Sequence, residues 1–230
     1  EGRALFERSA WGGTCDLSSA YHHVEMHPDS LPFLGFEWGG EYFRFTVLPF
    51  GLSTAPWLFT KVFGHCARFL RSPGLSLGIL SYLDDVIFAA LSARGALSAA
   101  QVIINVLRRF GWLIHPTKCV GTSAAVQVFQ ALGTVVNLAT QTFSVPPDTV
   151  KRIVEAAEAF ATGPPSVPVR SAARLKGLLA ATWVSTGLAA RIRTRALDAI
   201  INGRPRPAAN SGSAVRRSWA ALVTVSPAAR

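Results

Sequence analysis

Acidic residues are scarce in this chain of 230 residues: 13 Asp and Glu stand against 23 Lys and Arg, and between Tyr42 and Pro147 the only acids are Asp84 and Asp85. Cysteine is sparse too. Cys15, Cys66 and Cys119 form no C-x-x-C pair and leave an odd count, which argues against a disulfide framework and favours a reducing, intracellular setting, cytoplasmic or nuclear. Cys15, His22, His23 and His27 cluster in sequence, but their spacings match no zinc-finger or metalloprotease pattern. Apolar runs break before about 18 residues, and "GILSYLDDVIFAAL" carries two acids at its centre, so no membrane span is expected. No signal peptide is legible. The chain opens on Glu1 rather than Met, the mark expected of an internal piece of a longer polypeptide.

What is present is a large apolar fraction, 50% of the residues, enough for a sizeable core in one large domain or two small ones. Charge is unevenly divided. Residues 1–150 hold ten Lys/Arg and ten Asp/Glu, whereas residues 151–230 hold thirteen against three, so the whole net charge of +10 is C-terminal. A basic segment beside a neutral one has the footprint of a surface that follows a phosphate backbone, or of a merely solvated arginine-rich stretch.

"GGTCDLSSAYHHV" reads as a short strand reaching Asp16, followed by a helical turn begun at Ser18 or Ser19. "LPFLGFEWGGEYFRFTVLPFG" reads as a hairpin of two aromatic-rich strands joined at Gly39-Gly40. A helix is expected from Ser53 to about Leu70, with Pro56 in its first turn. Its apolar face would carry Leu58, Phe59, Val62, Phe63, Cys66, Phe69 and Leu70, and its other face Lys61, His65 and Arg68. Residues 77–90 form a second hairpin, "SARGALSAAQVIINVLRRFGWLI" a helix stopped near Gly111, and "VQVFQALGTVVN" and "TFSV" further strands. Three helices follow, "PPDTVKRIVEAAEAFA", "VRSAARLKGLLAATWVSTG" and "LAARIRTRALDAII", before a Pro/Gly/Ser linker at residues 202–214. The order is mixed α/β to about residue 146 and helical beyond it, an α+β body with a basic helical appendage.

Asp84 and Asp85 sit among Ile79, Leu80, Leu83, Val86, Ile87 and Phe88. Adjacent carboxylates in such surroundings repel each other and resist desolvation unless water reaches them or a cation lies between them. A solvated Asp-Asp turn and a divalent-metal site are both open readings.

Taken in order, "DLSSAY", "LPFGLSTAP" and "YLDD", with "GWLIHPTKC" and "VFQALGTVV" after them, resemble the successive palm motifs of reverse transcriptases. "LPFGLSTAPWLFTKVF", the compact spacing and the later "SAARLKGLLAATWV" are most similar to retrotransposon enzymes, particularly the tyrosine-recombinase elements of the DIRS group. The resemblance implies an RNA-directed DNA polymerase that is part of a retroelement polyprotein. Its fold would be α+β: a right-hand polymerase palm, an antiparallel sheet with helices on one face, with partial fingers over residues 1–146. An all-helical thumb would cover residues 147–201, and residues 202–230 would lead towards an absent ribonuclease H domain. The partners implied are dNTPs and an RNA or DNA template with its primer, and no membrane.

The same resemblance implies Asp16 and Asp84 as principal ligands of two Mg²⁺ ions, with Mn²⁺ as substitute, Asp85 as a closer or weaker participant and the Leu17 carbonyl as a further ligand. Tyr21 would lie under the sugar of the incoming nucleotide and exclude a 2′-hydroxyl, or else cap the core. Phe50, Gly51 and Pro56 would touch nucleotide and template, Phe50 standing where many retroviral enzymes have glutamine. Lys118 would protonate the leaving pyrophosphate, or remain a solvated loop lysine. Leu132 and Gly133 would form the primer grip, and Tyr82 would lie against the primer end. Arg170 and Arg174, four apart, and likewise Arg191 and Arg195, would straddle duplex phosphates or remain solvated. The rival function is a non-catalytic, domesticated nucleic-acid-binding remnant, against which the intact Asp16, Tyr82, Asp84 and Asp85 argue. A group II intron or telomerase-like enzyme is disfavoured by the lack of long insertions between the motifs.

Overall fold

The computed structural model describes residues 10–72, 78–164, 166–202 and 222–224. It divides into two compact units, the first made of the residues up to Leu132 with Val136–Gln141, the second of Gly133–Val135 with the residues from Thr142 onward. In chain order the first unit opens with β1 (Trp11–Asp16), two 3₁₀ turns (Ala20–His23 and Pro28–Phe33) and the ribbon β2 (Gly35–Trp38) and β3 (Glu41–Arg44). It continues with α1 (Ala55–Leu70), β4 (Gly78–Tyr82), β5 (Asp85–Ala90), α2 (Ala93–Arg109) and β6 (Val128–Ala131).

Its main sheet has the order β1-β5-β4, antiparallel throughout. The middle of β1 and of β5 is buried continuously, as befits strands covered on both faces. A Cβ on Gly13 would stand 2.0 Å from the Val120 carbonyl oxygen, and one on Gly12 2.3 Å from that of Phe88. The two glycines let β1 lie in contact with β5 on one side and with the segment around Val120 on the other. α2 starts where Ser92 caps it, its side chain accepting the Gly95 N–H at 3.1 Å, and stops at Gly111, whose φ is 84°.

Both helices cover the sheet through one core. Phe59, Phe63, Cys66, Ala67 and Leu70 of α1 meet Ala96, Ala99, Ala100, Ile103 and Leu107 of α2, with Cys15, Val86 and Phe88 beneath. Phe59 stacks on Phe63 at 5.6 Å, and both turn edges to Trp112. Two residues expected on the buried face of α1 are outside it: Val62 and Phe69 are 45% and 48% exposed. At about 100° per residue they fall on the flank of the stripe centred on Phe63 and Leu70, and Phe69 meets Phe110 at 5.6 Å instead. The ribbon β2–β3 is exposed on both faces, its Phe36 and Phe43 stacked at 5.5 Å.

A further three-stranded sheet has the order β6-β7-β8, with β7 (Thr134–Asn137) and β8 (Thr142–Ser144). Then come α3 (Pro147–Thr162), β9 (Ser166–Pro168), α4 (Val169–Ala181), α5 (Trp183–Thr186), α6 (Leu188–Arg193), α7 (Arg195–Asn202) and β10 (Leu222–Thr224). Phe160, Val167, Ala172, Leu175 and Leu197 form the core of the second unit. The helix expected over "VRSAARLKGLLAATWVSTG" is divided after Ala181. There Thr182 turns its hydroxyl onto the Leu179 carbonyl at 2.7 Å, a side chain competing with the helix ladder, and Gly187 at φ 60° ends the second piece. The helix expected over "LAARIRTRALDAII" is likewise two helices, α6 and α7. To these the structure adds the antiparallel pair β9–β10. Residues 203–214 of the expected linker lie outside the described residues. Among the described residues, no helix is long and apolar enough to cross a membrane.

Candidate active site

The acids that the sequence separates are brought together at one end of the main sheet. Asp16 is the last residue of β1 and pairs with Asp85, the first of β5. Strand alternation explains its direction, since Cys15 points into the core, wholly buried, and its neighbour must point away. Asp85 also pairs with Tyr82, so that Leu83 and Asp84 alone make the turn between β4 and β5. Leu83 holds a φ of 50°, a left-handed conformation that strains a residue with a branched side chain. Asp84 is exposed at the tip of this turn, and its carbonyl accepts the Leu17 N–H at 3.0 Å.

The segment after α2 closes the other side. His115 N–H donates to the Asp16 carbonyl at 2.8 Å and Ser18 N–H to the Leu113 carbonyl at 2.8 Å, making Leu17 and Ile114 an antiparallel pair. In such a pair the flanking residues carry the bonds across, and Leu17 turns its own N–H and C=O the opposite way, towards the Asp84 turn. Asp16 N–H reaches Cys119 Sγ at 3.4 Å.

The electrostatics are those of like charges held close. Burial raises the Asp85 carboxyl above the ordinary carboxylate range, and the charges of Asp84 and Asp16 raise it further, while Lys118 pulls it down. Lys118 Nζ lies 3.9 Å from Asp16 Oδ1, but its side chain is 62% exposed, so water screens the pair and its contribution is small. Three carboxylates with excess negative charge have the donor chemistry of a hard divalent cation, although among the described residues no three His, Cys, Asp or Glu side chains are grouped to hold an ion.

Tyr21 and Phe50 come together as well. The Tyr21 ring, half-buried in the 3₁₀ turn, lies 5.0 Å from Phe50 and 5.4 Å from the buried Phe59. Phe50 is 67% exposed. His23 secures this turn from behind, with Nε2 3.0 Å from the Ser18 carbonyl and its ring 5.2 Å from Trp112. Gly51, at φ 90°, and Pro56, in the first turn of α1, follow Phe50. Tyr82 is 59% exposed. Leu132 and Gly133 form the two-residue turn between β6 and β7, with φ of 48° and 73°.

The arginines belong to the second unit. Arg170 and Arg174 are exposed on α4 and Arg195 is exposed at the start of α7, while the side chain of Arg191, in α6, lies outside those described. Lys176 is ion-paired with Asp198. Sequence reasoning missed the site's supports. Gly12, Gly13 and Gly121 permit the close approach to β1, and His115 and Cys119 bond the Asp16 backbone. Arg71 ties the end of α1 to β4 through the Ile79 carbonyl and Ser81 Oγ, at 3.2 and 3.0 Å. The glycine pair before "TCD" and the single glycine after "KCV" were the available signal.

The sequence profile of the family described as reverse transcriptase (RNA-dependent DNA polymerase) matches residues 5–147. The chain is 28% identical over 106 residues to the retrovirus-related Pol polyprotein from transposon 297 of Drosophila melanogaster, a match covering 46% of this chain and 10% of that protein. It is 35% identical over 89 residues to the Gag-Pol polyprotein of Rous sarcoma virus subgroup B (strain Schmidt-Ruppin), covering 39% of this chain and 6% of that one. The chain thus spans a tenth or less of these polyproteins. In fold it resembles the foamy viral protease-reverse transcriptase solved with an RNA/DNA hybrid, with a TM-score of 0.67 at 19% identity over 88% of this chain and 25% of that one. The same enzyme solved with dsDNA gives 0.65 at 17% identity, over 89% and 40%. The match over residues 5–147 takes in every motif from Asp16 to Gly133, and the chain belongs to the reverse transcriptase family.

Proposed function

We propose that this chain is the catalytic core of an RNA-directed DNA polymerase, extending a primer with deoxynucleotides along a template as part of a retroelement polyprotein. The observation that carries the reading is the convergence of Asp16, Asp84 and Asp85 at one sheet end, through the Asp16–Asp85 register and the Leu17–Asp84 bond. Two divalent cations, Mg²⁺ or Mn²⁺, supply when bound the positive charge that favours the primer 3′-oxyanion and offsets the charge of the departing pyrophosphate. Asp16, Asp84 and Asp85 would hold them, with the Leu17 carbonyl as a further oxygen. The primer 3′-hydroxyl gives its proton to water, its oxygen attacks the α-phosphorus as the bond to pyrophosphate breaks, and Lys118, beside Asp16, donates the proton that pyrophosphate takes up.

Tyr21 and Phe50 form an apolar floor under the incoming sugar, where the ring leaves no room for a 2′-hydroxyl. Gly51 and Pro56 border nucleotide and template. Tyr82 and the Leu132-Gly133 turn steady the primer end. Residues 147–201 act as a thumb whose Arg170, Arg174, Arg191 and Arg195 take duplex phosphates. The phrases "LPFGLSTAPWLFTKVF" and "SAARLKGLLAATWV" support a DIRS-type affiliation, and residues 202–230 a connection towards ribonuclease H.

The test is primer extension on poly(rA)/oligo(dT) with dTTP and Mg²⁺. Extended products that vanish with a chelator are expected. Tight binding of template-primer without extension under any divalent ion would favour the non-catalytic remnant.

A further inference from the structure

On the side away from β5, β1 is flanked by the segment ending at Val126, to which it is tied at Gly12–Val126, Thr14–Val120 and Leu17–Ile114. Thr14 and Val120 exchange both backbone bonds, each at 2.9 Å. The residues next to this doubly bonded pair are Cys15 on β1 and Cys119 on the facing segment. Both pack into one core, Cys15 wholly buried and Cys119 half-buried, and the nearness of Cys119 adds to the burial that raises the Cys15 thiol. Cys119 Sγ also accepts the Asp16 N–H at 3.4 Å and donates to the His115 carbonyl at 3.5 Å. Cys119 therefore helps hold the backbone of the first carboxylate.

We propose that Cys15 and Cys119 form a reversible disulfide that disables the Asp16 site under oxidising conditions, an inference that rests on reading Asp16 as part of a polymerase site. The oxidant is a hydroperoxide, which reaches the more accessible Cys119 first. Its sulfur takes one oxygen from hydrogen peroxide, giving a sulfenic acid and one water. The Cys15 sulfur then bonds to the Cys119 sulfur as the S–O bond breaks, and the Cys15 proton leaves with the hydroxide as a second water. Two thiols lose two electrons, and one peroxide is reduced to two waters.

The geometry favours this bond. Disulfides span Cα separations of about 4.4–6.8 Å, a range within reach of two residues that both adjoin the Thr14–Val120 pair and share one core. Bonding turns Cys119 Sγ towards Cys15 and takes it from the Asp16 N–H. Cys66, buried on α1, serves as the internal control.

The experiment treats the 230-residue chain with hydrogen peroxide, alkylates it and maps its peptides by mass spectrometry. Extension of poly(rA)/oligo(dT) is followed before treatment, after it, and after dithiothreitol. Peptides bearing Cys15 and Cys119 are expected linked, with Cys66 alkylated, and extension is expected to fall at least tenfold and return with dithiothreitol. Cys119→Ser and, separately, Cys15→Ala are expected to give no linked peptide and to keep their extension through the treatment. Recovery of Cys15 and Cys119 as separate thiols, or of Cys119 as a lone sulfinic acid, overturns the pairing. A linked chain with undiminished extension overturns the switch. An untreated chain that never extends defeats the polymerase reading instead, and the peptide map still decides the pairing.

Discussion

Asp16 and Asp85 stand directly opposite each other across the β1–β5 pair, two carboxylates on one face of the sheet with Asp84 one residue away. Like charges so placed destabilise a sheet by about 0.2–1 kcal/mol, and a fold that keeps them gives up stability at this end.

That cost has a pH signature. Burial, then the charges of Asp84 and Asp16, hold the Asp85 carboxyl above its ordinary range. An acid whose folded pKa is raised binds its proton more tightly in the folded chain, so stability is greatest with the proton on. It falls as pH rises from the unfolded value, about 3.9, through the raised one. Calorimetry in chelator should show Tm declining across that window, and Asp85→Asn should flatten this decline and stabilise the chain at neutral pH by about 0.2–1 kcal/mol. An unchanged profile in the variant would remove Asp85 from the account.

Tyr21 has two neighbours that pull its roles apart, the exposed Phe50 and the buried Phe59. Tyr21→Val should admit ribonucleotides by removing the ring, and should lower stability by about 1–3 kcal/mol through lost packing. Single-nucleotide incorporation with dTTP and UTP, beside a denaturant melt, separates the two effects. Lost stability with unchanged sugar selectivity would make Tyr21 a core residue only.

The close approach at β1 makes its glycines sensitive. A Cβ on Gly121 would meet the Gly12 carbonyl oxygen at 2.3 Å, and Gly121 has a φ of 76°. Gly121→Ala should therefore destabilise the chain by about 2 kcal/mol or more. Gly64→Ala, where nothing lies within 4 Å of the added carbon, should be neutral or stabilising by comparison. Urea melts of the two variants decide it.

If the second unit follows phosphates, affinity for template-primer must fall with salt, each neutralised phosphate adding about −0.9 to the slope of log K against log [salt] on duplex. Changing Arg170, Arg174, Arg191 and Arg195 together to Gln should flatten that slope and weaken binding equally for all sequences. Anisotropy at several salt concentrations measures it, and an unchanged slope would mark these side chains as merely solvated.

The separate pieces of this candidate site were legible because they are short and local, while their joining into one site came from the resemblance of the motifs. The turn at Tyr82–Asp85, the strand ending at Asp16 and the helix begun near Pro56 each carry their own signal in apolar pattern and turn chemistry. Long-range pairing was not legible. Nothing in the spacing sets Asp16 against Asp85, or Cys15 against Cys119, because cross-strand register depends on the whole core. The split of α4 from α5 was hidden for a different reason. Thr182 fits a helical pattern, and its hydroxyl bond to the Leu179 carbonyl and the bond it accepts from the Thr186 hydroxyl at its own carbonyl leave no mark in the apolar pattern. Val62 and Phe69 were misplaced because apolar character was read as burial.

If Asp84 and its neighbours hold the charge that drives nucleotidyl transfer, the decisive variant is Asp84→Asn, which removes a charge from an exposed turn while preserving shape. Extension of poly(rA)/oligo(dT) with dTTP and Mg²⁺ should fall by at least about 10²-fold, the order expected when charge stabilisation at the reacting centre is lost. Thermal stability and template-primer affinity should stay close to those of the unaltered chain. Undiminished extension by a folded Asp84→Asn chain would contradict the account.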